Sequence, residues 1–138
     1  MNDVIVDASV AAPFFLADES GDRSDELIAV LTDGRAIVPQ HWRLEVANLG
    51  RKAVRHKRIT RQELYEGIAL LATWPVRVDR LTDESAWSRT LDIASDNDLT
   101  TYDAAYIELA KRTGLALATA DKALRRAALR EGVNLFPL

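Results

Sequence analysis

The sequence predicts an α/β protein with a mostly parallel β-sheet that is covered by helices on both faces. Short apolar runs of strand length alternate along the chain with longer segments of helical periodicity, and this alternation is typical of such sheets. The chain has 138 residues, of which 48% are hydrophobic. That size and composition predict a single domain spanning residues 1–138, with one hydrophobic core.

Each predicted strand is a short run rich in valine, isoleucine, leucine or alanine. The five predicted strands, in chain order, are residues 4–6, 36–38, 76–78, 115–119 and 133–136. Between them, apolar residues three or four positions apart predict helices. The predicted helices are residues 9–16, 23–32, 40–57, 61–73, 83–95, 101–113 and 122–130. Since ligands of parallel sheets bind beyond the carboxyl ends of the strands, residues that follow strands are the first candidates for a site.

The composition excludes several kinds of site and of location. The absence of cysteine removes disulfides, thiolate nucleophiles and cysteine-ligated zinc. There is no glycine-rich phosphate loop, no Gly-x-Ser-x-Gly elbow and no His-Glu-x-x-His motif. His41 and His56 stand alone, and we expect each to be a surface or helix-end residue. The N-terminal apolar run at residues 10–17 is too short to span a membrane, so we expect a cytoplasmic protein.

Two aspartates follow predicted strands. Asp7 comes directly after the first strand, and Asp121 comes two residues after the fourth. Both also precede predicted helices, where aspartate is a common N-cap. The sequence therefore leaves a helix cap and a functional carboxylate open at both positions.

Two further acids lie on the apolar sides of predicted helices. On a helical wheel of about 100° per residue, Asp103 falls on the same side as Tyr106. Glu108 falls on the opposite side, where we expect solvent. Asp103 could also form a capping box with Thr100. Glu45 lies too far inside its helix to be a cap, and its alternative is a structural ion pair with an arginine or lysine. An inward carboxylate requires such a partner or a metal.

Carboxylates at strand ends and on inward helix faces can converge on one cleft, where a divalent cation relieves their repulsion. All-oxygen ligands favour Mg²⁺ or Mn²⁺ over zinc, and such a site suits phosphodiester hydrolysis by a metal-activated water. The candidate metal-binding and catalytic acids are Asp7, Glu45, Asp103 and Asp121. The hydroxyls of Ser9 and Thr119, two residues from Asp7 and Asp121, could position water or substrate, or cap helices.

A basic stretch interrupts this acidic chain, which has a net charge of −3. No acid occurs between Glu45 and Glu63, and the segment contains Arg51, Lys52 and Arg55. Such residues could contact RNA phosphates, which are recognised locally. The alternative is a solvated helix end, because basic residues favour a helix C-terminus.

Four segments together resemble a known family. They are residues 4–9 (VIVDAS), 45–48 (EVAN), 99–106 (LTTYDAAY) and 117–121 (LATAD). They resemble the PIN-domain nucleases and, more narrowly, the VapC toxins of bacterial toxin–antitoxin pairs. The likeness runs from the first strand to the last, with the segments in the family's order.

The resemblance implies a three-layer fold with a parallel five-stranded sheet in the order 3-2-1-4-5. It implies Mg²⁺-dependent cleavage of RNA, with the four acids around the metal and Asp7 and Asp103 as its most direct ligands. It also implies a homodimer and neutralisation by a VapB-like antitoxin. Asp79 and Asp98 are further acids near the expected cleft, and we expect them to be turn residues.

Two other functions remain open from the residues. One is a PIN-like regulatory or binding module that does not cleave. The other is an Asp-based phosphotransfer or receiver-like domain. The second is disfavoured because Asp7 has no acid beside it and no lysine follows the last strand.

Overall fold

The computed structural model describes residues 2–16 and 22–138, and it confirms the α/β fold with a parallel sheet between helices. The sheet has four strands in the order β3-β2-β1-β4, all parallel. The strands are β1 (Val4–Val6), β2 (Ala36–Val38), β3 (Val76–Val78) and β4 (Leu117–Ala118). The central strands are apolar and buried on both faces, as expected where helices cover a parallel sheet.

The expected fifth strand at residues 133–136 is wrong for the described residues. Leu135 forms only an isolated parallel bridge with Leu117 on the outer side of β4. Two backbone hydrogen bonds hold it there, from Leu117 N to Asn134 O and from Phe136 N to Leu117 O. Pro137 follows, and its lack of an N–H prevents the ladder from continuing. The segment nevertheless occupies the position predicted for the fifth strand.

Seven α-helices are present among the described residues. They are α1 (Asp22–Asp33), α2 (Trp42–Arg55), α3 (Arg61–Leu71), α4 (Thr82–Ser85), α5 (Arg89–Asn97), α6 (Thr101–Thr113) and α7 (Lys122–Arg130). None of the helices in the described ranges is long and apolar enough to cross a membrane. The bounds of α6 and α7 match the prediction because local signals define them. Thr100 accepts a hydrogen bond at the start of α6, and Gly114 ends that helix with a φ of 74°.

The helix predicted at residues 9–16 is wrong. Two 3₁₀ turns, Ala8–Val10 and Ala12–Phe14, occupy this region. Pro13 lacks the N–H that an α-helix would need, and its ring would clash with the carbonyl of Ser9. The tighter turns therefore replace a regular helix.

The single helix predicted at residues 83–95 is divided into α4 and α5. Ser88 lies between them with a non-helical backbone (φ −124°, ψ −100°). Ser85 and Thr90 are both buried, yet in one continuous helix they would point about 140° apart. The break allows both residues to face the interior.

Helix α6 lies at the centre of the molecule, packed against α5 and against β1 and β4. Seven consecutive residues of this helix, Ala104–Ala110, are buried. The expectation that Glu108 faces solvent is therefore wrong, since the side of α6 that carries it is also covered. A helix covered all round offers no solvated face to a charged residue.

Candidate active site

The first and last of the candidate acids follow neighbouring strands. β1 and β4 pair in register, Val6 beside Ala118, and Asp7 N donates to Ala118 O at 3.0 Å. Because parallel strands end at the same edge of the sheet, the chain segments carrying Asp7 and Asp121 leave it side by side.

Asp7 is buried, with 6% of its surface exposed, and two hydroxyls hold it. Ser9 Oγ and Thr119 Oγ1 each donate to Asp7 Oδ2 at 2.7 Å. Its side chain makes no capping hydrogen bond to the following 3₁₀ turn, so the cap alternative is wrong for this residue. Burial raises the pKa of Asp7, although both hydroxyls act in the opposite direction and Asp121 adds repulsion.

Asp121, in contrast, does cap a helix. Its Oδ1 accepts a hydrogen bond from Leu124 N at 3.0 Å at the start of α7. Its backbone N–H donates to Thr119 Oγ1 at 3.1 Å, so the hydroxyl that binds Asp7 also contacts Asp121. Thr119 thereby links the two acids through one side chain.

Glu45 lies in the first turn of α2 and is only partly exposed. Tyr106, on α6, donates its hydroxyl to Glu45 Oε1 at 2.5 Å, and His41 Nε2 lies 3.4 Å from the same oxygen. No arginine or lysine of the described chain forms an ion pair with it, so the alternative of a structural ion pair is not found there. Burial raises the pKa of Glu45 to about 7, and repulsion from Asp7 and Asp103 adds to this effect.

Asp103 occupies the first turn of α6, next to the exposed Tyr102. The helix is capped by Thr100, whose Oγ1 accepts from Asp103 N at 3.1 Å. Burial raises the pKa of Asp103, followed by repulsion from Asp7 and Asp121. Each of the four acids therefore interacts electrostatically with at least one other, which indicates that they surround a common region.

The donor chemistry of this cluster fits a hard divalent cation. All four groups supply carboxylate oxygens, the ligands that Mg²⁺ and Mn²⁺ favour, and no described arginine or lysine pairs with Asp7, Glu45 or Asp103. Across residues 2–16 and 22–138, however, no three acidic or histidine side chains lie close enough to form a ready-made ion site. Mutual repulsion between uncompensated carboxylates favours such separation.

Two residues of this site were not among the candidates. Tyr106 is completely buried, yet its hydroxyl donates a hydrogen bond to Glu45. The sequence signal that could have identified it is its position on the same side of the helix as Asp103. His41 does lie at the end of α2, as expected, but its ring also faces Glu45 four residues later. That spacing places two side chains on the same helix face.

The basic residues predicted to contact RNA lie further along α2. Arg51, Lys52 and Arg55 are all exposed, and none forms a hydrogen bond or ion pair with the four acids in the described structure. Arg51 is six residues beyond Glu45, which corresponds to about 9 Å along the helix axis. These cations therefore lie apart from the acids and remain accessible to solvent.

The chain was compared with known families and structures. The family model described as "PIN domain" matches residues 4–129, a range that includes all four acids. The fold is also similar to the crystal structure of PAE2754 from Pyrobaculum aerophilum, with a TM-score of 0.66 and 25% sequence identity. That similarity covers 91% of this chain and 78% of the other. No curated protein matches the sequence significantly.

Proposed function

The chain belongs to the PIN-domain family, whose members are generally nucleases, and from this membership we propose that it is a divalent-metal-dependent endoribonuclease. More narrowly, we propose that it acts as the toxin of a VapBC-like toxin–antitoxin pair. The substrate is RNA, and the bond cleaved is a phosphodiester.

The observation that carries this proposal is a cluster of acids without a compensating base. Asp7 is buried, Glu45 and Asp103 are partly buried, and repulsion among the acids contributes to the raised pKa of each of these three groups. A protein that buries carboxylates normally pairs them. A cluster of acids that lacks such pairing is explained if the functional protein binds a metal cation there.

The four acids would form the metal site. Asp7, Glu45, Asp103 and Asp121 would hold the ion, Mg²⁺ or alternatively Mn²⁺. When bound, the ion supplies Lewis-acid polarisation of a phosphoryl oxygen and a more acidic water for in-line attack.

The hydroxyl groups around the cluster keep the carboxylates in place. Ser9 and Thr119 fix the orientation of Asp7, and Tyr106 fixes that of Glu45. Carboxylates oriented in advance bind an ion without the entropic cost of ordering them.

The partners of the protein are part of the same proposal. Arg51, Lys52 and Arg55 would contact RNA phosphates, because an exposed row of cations attracts a polyanion. By its resemblance to VapC toxins, the protein would form a homodimer and be neutralised by a VapB-like antitoxin in the cytoplasm.

The test uses purified protein, free of any partner, with structured and single-stranded RNA in Mg²⁺ or Mn²⁺. We expect endonucleolytic products that EDTA abolishes. Asp7→Asn should reduce cleavage about 1,000-fold or more, since metal stabilisation of the transition state contributes several kcal/mol. Glu66→Gln, which removes an exposed acid on α3, is the matched control and should retain activity.

Different failures would refute different parts of the proposal. If RNA binds but is never cut, the protein is a PIN-like binding module. If RNA is cut but expression does not arrest growth, the nuclease stands and the toxin role fails. For the toxin role, we expect growth arrest that Asp7→Asn relieves and that co-expression of a neighbouring antitoxin gene prevents.

A further inference from the structure

A small pocket opens beside the candidate active site, with a volume of about 300 Å³. It lies between the first turns of α2 and α6 on one side and helices α4 and α5 on the other. Its walls include His41, Leu44, Ala86, Thr90, Tyr102 and Ala105. Most of this lining is apolar, which is the usual character of a site for an organic ligand.

Two large side chains on the wall of this pocket are turned towards solvent. Tyr102 is 62% exposed and Leu44 is 75% exposed. The Tyr102 ring meets the His41 ring edge to face, with centroids 5.5 Å apart. An exposed aromatic ring that a neighbouring ring supports is a suitable platform for a planar ligand.

The pocket is connected directly to the acids. Tyr102 immediately precedes Asp103 in α6, and its carbonyl oxygen lies 3.0 Å from His41 Nε2. The same nitrogen lies 3.4 Å from Glu45 Oε1. If an RNA phosphate is bound at the acids, a base next to that phosphate could therefore reach the pocket.

A polar group with unused hydrogen-bonding capacity also lines the pocket. Gln40 Oε1 accepts from Asp83 N at 3.0 Å, which leaves the amide hydrogens of Gln40 without a partner in the described chain. Gln40 is exposed, so its amide can bond the polar edge of a base while the ring of that base stacks.

We propose that this pocket, hereafter the base pocket, binds an unpaired nucleobase of the RNA strand next to the phosphate that is cleaved. The proposal rests on the proposed ribonuclease function and extends it to substrate recognition. Proteins recognise single-stranded RNA by stacking splayed bases on aromatic rings and bonding their edges. The apolar wall, the exposed tyrosine and the adjacent acids together match that chemistry.

The first test compares Tyr102→Ala and Tyr102→Phe in steady-state cleavage of a short single-stranded RNA. We expect Tyr102→Ala to raise KM about tenfold, which is the usual effect of losing one stacked base. Tyr102→Phe keeps the ring and should restore a near-wild-type KM. Tyr65→Ala is the matched control, because Tyr65 is similarly exposed (57%) but lies on α3 and does not line the pocket.

The second test observes the base directly. An RNA with 2-aminopurine placed beside the scissile phosphate is titrated with the Asp7→Asn variant, which should bind without cutting. We expect quenching of 2-aminopurine fluorescence that Tyr102→Ala, added to this variant, removes and Tyr65→Ala does not. Mn²⁺ binding to the wild-type and Tyr102→Ala proteins should be equal, since Tyr102 is not a proposed ligand.

The outcomes separate the base pocket from the proposed function. RNA cleavage that does not depend on Tyr102, with no quenching, overturns the base pocket alone. Quenching without cleavage by the wild-type protein supports the pocket and overturns the nuclease. Neither binding nor cleavage of any RNA overturns both. If light scattering shows that Tyr102→Ala turns a dimer into a monomer, a second copy of the chain covers the pocket and the proposal is wrong.

Discussion

Helix α6 carries two acids that lie in opposite electrostatic environments. Asp103, in its first turn, belongs to the group of acids that no described arginine or lysine compensates. We call this group, Asp7, Glu45, Asp103 and Asp121, the acid cluster. Glu108, five residues later, is 2% exposed and is surrounded by arginine. We call the group formed by Glu108, Arg112, Asp79 and Arg89 the arginine cluster.

Arg112 is the centre of the arginine cluster. Its guanidinium donates to both oxygens of Glu108 at 2.9 Å and to both oxygens of Asp79 at 2.7 and 3.0 Å. Burial tends to raise the pKa of Asp79, but hydrogen bonds from Arg112 and Thr82 outweigh it and the pKa lies below its usual value. Asp79, which we expected to be a turn residue near the cleft, follows β3 and is held by Arg112, outside the acid cluster.

The contrast shows which property of a buried acid indicates function. Both regions remove carboxylates from water, so burial alone does not distinguish them. The arginine cluster compensates its charges within the fold. The described partners of the acid cluster are hydroxyls, an imidazole and, at Asp121, the backbone N–H of Leu124, which orient the carboxylates without neutralising them. Uncompensated charge, rather than burial, therefore marks the candidate site.

The largest expected effect comes from removing the compensation. Arg112→Met leaves Glu108 buried without its main partner, and breaking such a pair costs about 3–5 kcal/mol of unfolding free energy. Arg89→Met is the matched control. Arg89 lies 4.0 Å from Glu108 with its side chain 67% exposed, so its loss should cost less than about 1 kcal/mol. Urea denaturation measures both, and equal losses would contradict the assignment of Arg112 as the central residue.

A smaller effect of opposite sign is expected in the acid cluster. Asp7→Asn removes a buried charge that no base compensates, so the metal-free protein should gain roughly 1 kcal/mol of unfolding free energy. Added Mg²⁺ should raise the Tm of the wild-type protein but not that of the variant. The measurement is thermal denaturation with and without Mg²⁺. A variant less stable than the metal-free wild type would show that Asp7 serves the fold.

A pH dependence of stability is also expected, and the two regions should show it with opposite signs. The pKa of Glu45 is raised in the fold to about 7, so its contribution to metal-free stability is complete below the ordinary glutamate range. That contribution is lost as the pH rises towards 7. The pKa of Asp79 is lowered, so its contribution is present above the ordinary aspartate range and is lost as the pH falls below it.

Urea denaturation from pH 4 to 8, with EDTA, tests the Glu45 part of this prediction. Glu45→Gln should flatten the decline between about pH 5 and 7, the interval between the ordinary and raised pKa values. Saturating Mg²⁺ should do the same in the wild-type protein, because the ion favours the charged carboxylate. An unchanged decline in Glu45→Gln would assign it to another group.

Much of the local structure could be predicted because its causes are local. The alternation of apolar runs and helical patterns predicted β1, β2 and β3 with correct bounds. The cap at Thr100 and the glycine at position 114 predicted the two ends of α6 correctly. Where two local rules competed, the prediction failed, as at Pro13, where helical periodicity was overruled by a missing N–H.

The helical periodicity of α6 predicted the relative orientation of its acids but not their exposure. It correctly separated Asp103 from Glu108, since angular position follows from residue spacing. It could not show that the opposite side of the helix is covered as well, because that depends on the position of α5. The surface prediction for Glu108 failed for that reason.

The sequence by itself determined the four acids, their positions after strands or on inward helix faces, and the family segments that contain them. Only the tertiary structure decided which acids receive a compensating charge. Arg112 reaches Asp79 across 33 positions of sequence, and Tyr106 reaches Glu45 across 61. Such pairings depend on how helices pack on the sheet, and local propensity carries no information about partners so distant in the chain.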